Sequence, residues 1–154
     1  MSTRTDFVVR TLVWLGALAW WLYLRLPKGA SLRDVRPGLP GVVGALLTIG
    51  GAAVYVWAAR RLAGVAATPE TLLSSGPYRY VRNPLYLAAA AVFAGASTMY
   101  APWRARDVPA VTIIAVLAHL FVVRHEEPAT RRRLGAAYDD YCARVPRWIP
   151  RISA

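Results

Sequence analysis

The sequence has few cysteine, lysine and acidic residues for its length. Its 154 residues include one cysteine, Cys142, which excludes an internal disulfide framework and any cysteine-based zinc site, and no metal site is expected. Only 8 Asp and Glu residues stand against 19 Lys and Arg, so the formal net charge is +11. Hydrophobic residues make up 56% of the chain, a share too high for a disordered protein.

The basic residues are spread along the chain between long uncharged segments. A soluble nucleic-acid-binding protein gathers its positive charge on one face or one element, so this distribution argues against nucleic acid as a partner. Charges that separate apolar segments of membrane-spanning length are typical of a polytopic membrane protein. The length suits one compact domain or a handful of spans, but not two full domains.

Four apolar segments predict an all-α integral membrane protein with about four transmembrane helices. After the last span, apolar positions at helical spacing alternate with arginines, which predicts an interfacial amphipathic helix against the anionic membrane lipids. We therefore expect a single domain over residues 1–154. The expected spans are 7–26, 39–61, 84–101 and 107–125, and the interfacial helix is 128–144.

The distribution of positive charge predicts the orientation in the membrane. With four spans, the N-terminus, the loop at 60–82 and the tail from Arg124 share one side, and that side holds 13 of the 19 basic residues. The positive-inside rule places that side in the cytoplasm. The preference for arginine over lysine and the abundance of alanine favour a bacterial protein. We therefore expect an inner-membrane protein with both termini cytoplasmic.

The loop between the second and third spans carries the first group of residues suited to binding. Asn83 followed by Pro84 predicts an N-cap and the first residue of the third span. A helix N-terminus presents free N–H groups that suit a carboxylate or phosphate, and Arg82 adds charge beside it. Tyr78 and Tyr86 add flat faces for a ring. Alternatively, Asn83 is only a cap, and the tyrosines and arginine only anchor the membrane border.

The end of the fourth span carries the second group. Glu126 and Glu127 lie at a membrane boundary, where buried carboxylates need partners. Pro128 predicts the start of a new helix with Glu127 at its cap. His119 lies seven residues before Glu126, on nearly the same helix face. Alternatively, the glutamates are a solvated helix end and His119 is a packing residue.

These two groups together resemble a family. Residues 76–86 read Gly-Pro-Tyr-Arg-Tyr-Val-Arg-Asn-Pro-Leu-Tyr, and Glu-Glu-Pro, an arginine-rich helix and Val-Pro-Arg-Trp-Ile-Pro follow further on. This order resembles the isoprenylcysteine carboxyl methyltransferase and phospholipid methyltransferase superfamily, whose pattern is Arg-His-Pro-x-Tyr-x-Gly, a helix pair, then Glu-Glu. Asn83 replaces the His and Ala88 the Gly. Phospholipid N-methyltransferases look similar at Asn83, whereas the Gly-Pro-Tyr lead and the tail look more like the carboxyl methyltransferases.

The resemblance implies methyl transfer from S-adenosylmethionine to a lipophilic, isoprenoid- or lipid-like acceptor that enters from the bilayer. Carboxylates are expected beside the cationic sulfonium, and Arg82 suits the carboxylate of the cofactor. Arg124 is a candidate to orient an acceptor carboxylate, although such an arginine also snorkels to the headgroups. The cofactor-binding residues that the resemblance implies are Tyr78, Arg82, Asn83, Tyr86, Glu126 and Glu127. His119 is a further cofactor-binding candidate because of its position on the face of Glu126, and the candidate catalytic residues are Asn83, Arg124 and Glu127.

Other functions stay open at this point. One is N-methylation of a phospholipid instead of O-methylation of a prenylated cysteine. Another is reduction by NADPH, because membrane sterol reductases have a related motif, with Asn where Leu85 stands here. A third is a non-enzymatic membrane subunit. The sequence specifies neither the acceptor nor the oligomeric state.

Overall fold

The structure is a computed structural model that describes residues 31–65, 71–105 and 107–151, together with isolated residues between 16 and 29. The span expected at 7–26 falls largely outside the described residues, of which Gly16 and residues 19, 20, 23 and 24 are helical. The described part of the chain is all-α and holds no β-strand. The expected fold class is therefore confirmed for that part.

Five α-helices are described from residue 31 onward. Two continuous helical segments, Leu39–Gly64 and Asp107–Leu134, are long and apolar enough to cross a membrane, and Pro84–Tyr100 is a shorter apolar helix. Short 3₁₀ turns form at Leu32–Asp34 and Gly76–Arg79. The α-helices are α1 (Leu39–Val65), α2 (Pro84–Tyr100), α3 (Asp107–Phe121), α4 (Glu127–Leu134) and α5 (Ala136–Arg144).

Helix α1 extends four residues beyond its expected end at residue 61, to Val65. The expected end was set by the charged pair Arg60-Arg61, which marks the end of the apolar segment. Arginine is a good helix former, so a change in polarity does not end a helix. The end of the apolar segment and the end of the helix therefore differ here.

The structure also differs from the expected boundary at Pro128, because the helix from Asp107 runs on to Leu134. A proline inside a helix cannot donate to the carbonyl four residues earlier. The chain accommodates this with a π-helical turn at Val122–Glu126, in which the Glu127 N–H bonds to the Val122 carbonyl. The break comes at Gly135, whose φ of 56° is in the left-handed region that glycine tolerates. The single helix expected at 128–144 is thus divided between the end of this continuous helix and α5, and its interfacial position stays a prediction.

The described residues fall into two compact units. The first lies within Met1–Ala53 and Tyr86–Pro102, and the second within Val54–Leu85 and Trp103–Ala154. The expectation of a single domain stays a prediction.

Within the first unit, α1 and α2 pack through small residues. A Cβ added to Gly95 would lie 2.6 Å from the Gly44 oxygen, and one added to Gly51 would lie 2.8 Å from the Val92 nitrogen. Real side chains do not approach backbone this closely, so glycine is required at both positions. Close backbone contact of this kind is a common way for membrane helices to associate.

Candidate functional site

Three segments of the second unit meet at the carboxylate of Glu127. Arg82, from the loop before α2, places its Nη1 3.0 Å from Glu127 Oε1. Arg147, from the C-terminal tail, donates from Nε to Oε1 at 2.7 Å and from Nη2 to Oε2 at 2.8 Å. The Glu127 side chain is only 8% exposed. We call Arg82, Glu127 and Arg147 the arginine–glutamate cluster; its two guanidinium groups and one carboxylate leave it with a net positive charge.

The position of Glu127 depends on the π turn that precedes it. A π turn adds a residue to the helix and so changes which side chains face a given side after it. Glu127 is the first residue after this turn and is buried, whereas Arg124 within the turn is exposed. Such turns are frequent at functional sites. The proline that causes the turn therefore also helps to aim Glu127 at the arginines.

The tail, residues Val145–Arg151, is held along the loop by three hydrogen bonds that involve backbone atoms. The Arg82 N–H donates to the Pro146 carbonyl at 2.9 Å, and the Arg151 N–H donates to the Tyr80 carbonyl at 3.0 Å. Asn83 donates from Nδ2 to the Arg147 carbonyl at 3.3 Å. These bonds fix the backbone on either side of Arg147, so its side chain enters the cluster from a defined position.

Tyr78 lies in the 3₁₀ turn Gly76–Arg79 and is buried. Its carbonyl accepts the Tyr141 hydroxyl at 2.7 Å, which ties the turn to α5. Burial raises the pKa of the Tyr78 phenol, and the neighbouring Tyr141 and Glu126 raise it further. Tyr78 is therefore a neutral aromatic side chain, and the Glu126 carboxylate lies within its electrostatic range.

Arg82 makes a further contact, with the only cysteine. Its Nη1 lies 2.8 Å from Cys142 Sγ. Cys142 also packs against the buried cluster of Tyr138, Tyr141 and Val145. The Nε of Arg82 is buried and has no hydrogen-bond partner within the described ranges. The N–H group on Nε is thus a donor that has no acceptor among the described residues.

His119, Asn83 and Tyr86 are expected site residues outside the arginine–glutamate cluster. His119 is half-buried in α3, and its Nδ1 accepts the Trp148 Nε1–H at 3.0 Å, which gives the tail a second attachment. Asn83 occupies the position before α2, where an N-cap lies, and reaches the tail with its side chain. Tyr86 is in the first turn of α2 and belongs to the first unit.

Sequence reasoning did not identify Arg147 as a site residue. The cost of burying a carboxylate at a membrane boundary indicated that Glu127 needs a partner. With 19 basic residues in the chain, however, that requirement does not select one. The flanking Pro146 was a usable signal, because proline stiffens the backbone that carries Arg147.

Comparison with known proteins supports a family assignment. The nickel-cobalt-cadmium resistance protein NccN of Alcaligenes xylosoxydans xylosoxydans is 31% identical over 121 residues, which cover 71% of this chain and 52% of that protein. The chain thus spans about half the length of this curated relative. No solved structure matches. The family model for phospholipid methyltransferase matches residues 40–137, more than half of the chain. The chain therefore belongs to the phospholipid methyltransferase family.

Proposed function

We propose that this chain transfers a methyl group from S-adenosylmethionine to a lipophilic acceptor at the cytoplasmic face of the membrane. Family membership supports a membrane methyltransferase. The arginine–glutamate cluster carries the proposal further, because it joins the loop before α2, the end of the fourth span and the tail in one place. These are the three segments that carry the sequence resemblance.

The cluster fits the anionic end of the cofactor. Its two guanidinium groups exceed its single carboxylate, and the buried Nε of Arg82 has no acceptor within the described residues. Guanidinium donors bind carboxylates through charge-assisted hydrogen bonds. In this proposal Arg82 holds the cofactor's carboxylate, and Glu127 acts by fixing the positions of Arg82 and Arg147.

The cationic end of the cofactor fits the neighbouring pair of Tyr78 and Glu126. A neutral aromatic ring attracts a cation to its face, and a carboxylate neutralises a cation that has left water. The Tyr78 phenol is neutral near pH 7 even at its ordinary pKa, and burial and the Glu126 charge raise that pKa further. In this proposal Glu126 balances the positive charge of the cofactor, a role that the sequence assigned equally to Glu127.

When bound, S-adenosylmethionine would supply an electrophilic methyl group: the bond from the acceptor to that carbon would form as the carbon–sulfur bond breaks, with S-adenosylhomocysteine as the leaving group. The protein's part is to align the two reactants and exclude water. A carboxylate acceptor of the isoprenylcysteine type needs no base, whereas an amine or thiol must lose a proton first. Arg124 is exposed at the end of the fourth span, where its guanidinium can orient an acceptor carboxylate. We therefore favour an isoprenoid carboxylate, with a phospholipid amine as the alternative acceptor.

Radiolabelled methyl transfer tests this function. The purified full-length protein is incubated with methyl-labelled S-adenosylmethionine and a total extract of lipids and small isoprenoids. We expect label in an apolar product, and release of the label as volatile methanol on treatment with base would identify a methyl ester rather than an N-methyl group. Absence of label in any apolar product, together with absence of S-adenosylmethionine binding, would contradict the proposal.

A further inference from the structure

Helix α4 ends in three consecutive exposed arginines, Arg131, Arg132 and Arg133. Arg131 forms an ion pair with Asp139, in which its Nε donates to Asp139 Oδ1 at 2.6 Å. Arg132 and Arg133 form no hydrogen bond or ion pair with any residue in the described ranges. Two adjacent full positive charges are therefore left on the surface of this helix.

The helix is continuous from Asp107 to Leu134, and its apolar part is long enough to cross a membrane. The apolar segment ends at Val123, and at about 1.5 Å per residue Arg132 lies roughly 13 Å further along the axis. The headgroup layer on each side of the hydrocarbon core is about 5–7 Å thick. Side chains of an α-helix tilt toward its N-terminus, which here is the membrane end. The long arginine side chains are therefore directed back toward the headgroups.

We propose that Arg132 and Arg133 bind the phosphate groups of anionic phospholipids in the adjoining leaflet. Guanidinium groups match the geometry of phosphate oxygens and bind them through two parallel hydrogen bonds. The negative potential of an anionic leaflet adds to this attraction. Because the arginines belong to the same continuous helix as Glu127, bound lipid holds the helix end at the membrane surface. This inference does not rest on the proposed methyl transfer.

The test compares lipid binding by matched variants of the full-length protein in neutral detergent. Arg132→Gln/Arg133→Gln removes both charges, and Arg132→Lys/Arg133→Lys keeps them. Arg33→Gln/Arg104→Gln is the control, since it removes two exposed arginines that the expected topology places on the opposite side. The probes are phosphatidylglycerol, phosphatidylcholine and soluble glycerol phosphate, and lipid retention is measured by native mass spectrometry.

We expect wild type to retain phosphatidylglycerol in preference to phosphatidylcholine. An exposed arginine–phosphate ion pair contributes up to about 1 kcal/mol, so the double glutamine variant should lose up to about thirtyfold in affinity for phosphatidylglycerol. The lysine variant and the control should keep most of it. Equal losses in the control and the glutamine variant, or no loss in either, would contradict the inference. Competition by soluble glycerol phosphate at similar concentration would show a phosphate site rather than a lipid site, and would also contradict it.

Discussion

Arg147 and Glu127 form a two-pronged ion pair, with Nε–Oε1 and Nη2–Oε2 distances of 2.7 and 2.8 Å. The hydrogen bonds with Glu127 raise the pKa of the Arg147 guanidinium, against the opposing effect of its partial burial. The paired geometry fixes both the distance and the plane of the guanidinium. The C-terminal tail is therefore attached to the end of the fourth span by a contact that is directional as well as charged.

Replacing Arg147 should loosen the tail and destabilise the second unit. Arg147→Gln removes the charge, and Arg147→Lys keeps the charge but loses the planar fork. A hydrogen bond to a charged group contributes about 1.5–3 kcal/mol, so we expect Arg147→Gln to lower the free energy of unfolding by that amount. Arg147→Lys should lie between that variant and wild type. Thermal unfolding in detergent measures the effect, and Arg151→Gln in the same tail serves as the exposed control. Equal stability of the Arg147 and Arg151 variants would show that the ion pair contributes nothing.

The two glutamates should differ in what their loss affects. Glu127→Gln leaves Arg82 and Arg147 facing each other without a carboxylate, and removal of one member of a buried ion pair costs about 3 kcal/mol or more. We expect a clear loss of stability together with weaker binding of S-adenosylmethionine. Glu126→Gln should weaken binding with little change in melting temperature. Indistinguishable profiles of melting temperature and affinity for the two variants would refute the division of roles between them.

Asn83 should act on the tail as well as at the start of α2. Asn83→Asp keeps a side chain that caps a helix but loses the amide donor to the Arg147 carbonyl. The new carboxylate would instead face a carbonyl oxygen, so residues 145–151 should separate from the loop more often. Hydrogen exchange at the Arg151 amide, which donates to the Tyr80 carbonyl, reports this opening. Faster exchange is expected in Asn83→Asp than in wild type, and an unchanged rate would leave Asn83 as a cap only.

The packing of α1 on α2 predicts a sharp difference between two glycines. A methyl group at Gly95 would lie 2.6 Å from backbone atoms of Gly44 and Thr48, whereas one at Gly50 meets nothing within 4 Å. Overpacking of this kind typically costs about 1–3 kcal/mol, so Gly95→Ala should lower the melting temperature. Gly50→Ala should leave it unchanged or raise it slightly. A similar melting temperature for both variants would contradict the close packing of α1 on α2 at Gly95.

The sequence predicted most of the helices because their apolar segments are long and their starts carry clear signals. Pro84 and Asp107 begin α2 and α3 as expected. The end of the fourth span was harder, because proline permits two outcomes: a new helix, or a π turn inside a continuing one. The structure has the second outcome, and Glu127, which follows the turn, contacts Arg82 and Arg147, both distant from it in the sequence. Gly135, the residue that does end the helix, carries the positive φ that glycine favours.

The site was predictable only in part, for a related reason. The resemblance identified Arg82 and Glu127, and the structure brings those two together. Arg147 lies 20 residues from Glu127 along the chain, beyond any helical periodicity that would link them. The hydrogen bond from Trp148 to His119 is likewise a long-range contact. The sequence could suggest that His119 has a partner, but it could not identify Trp148 as that partner.

The most direct test of the proposed function is calorimetric titration of S-adenosylmethionine into wild type, Arg82→Gln and Arg79→Gln. Arg82 lies within the arginine–glutamate cluster, whereas the nearby Arg79 is exposed, with its guanidinium 5.0 Å from the Tyr80 ring. We expect wild type and Arg79→Gln to bind alike, and Arg82→Gln to bind roughly ten- to a hundredfold more weakly, the equivalent of about 1.5–3 kcal/mol. Equal binding by all three proteins would contradict a cofactor site at the cluster, and no binding by wild type would contradict the proposed use of S-adenosylmethionine.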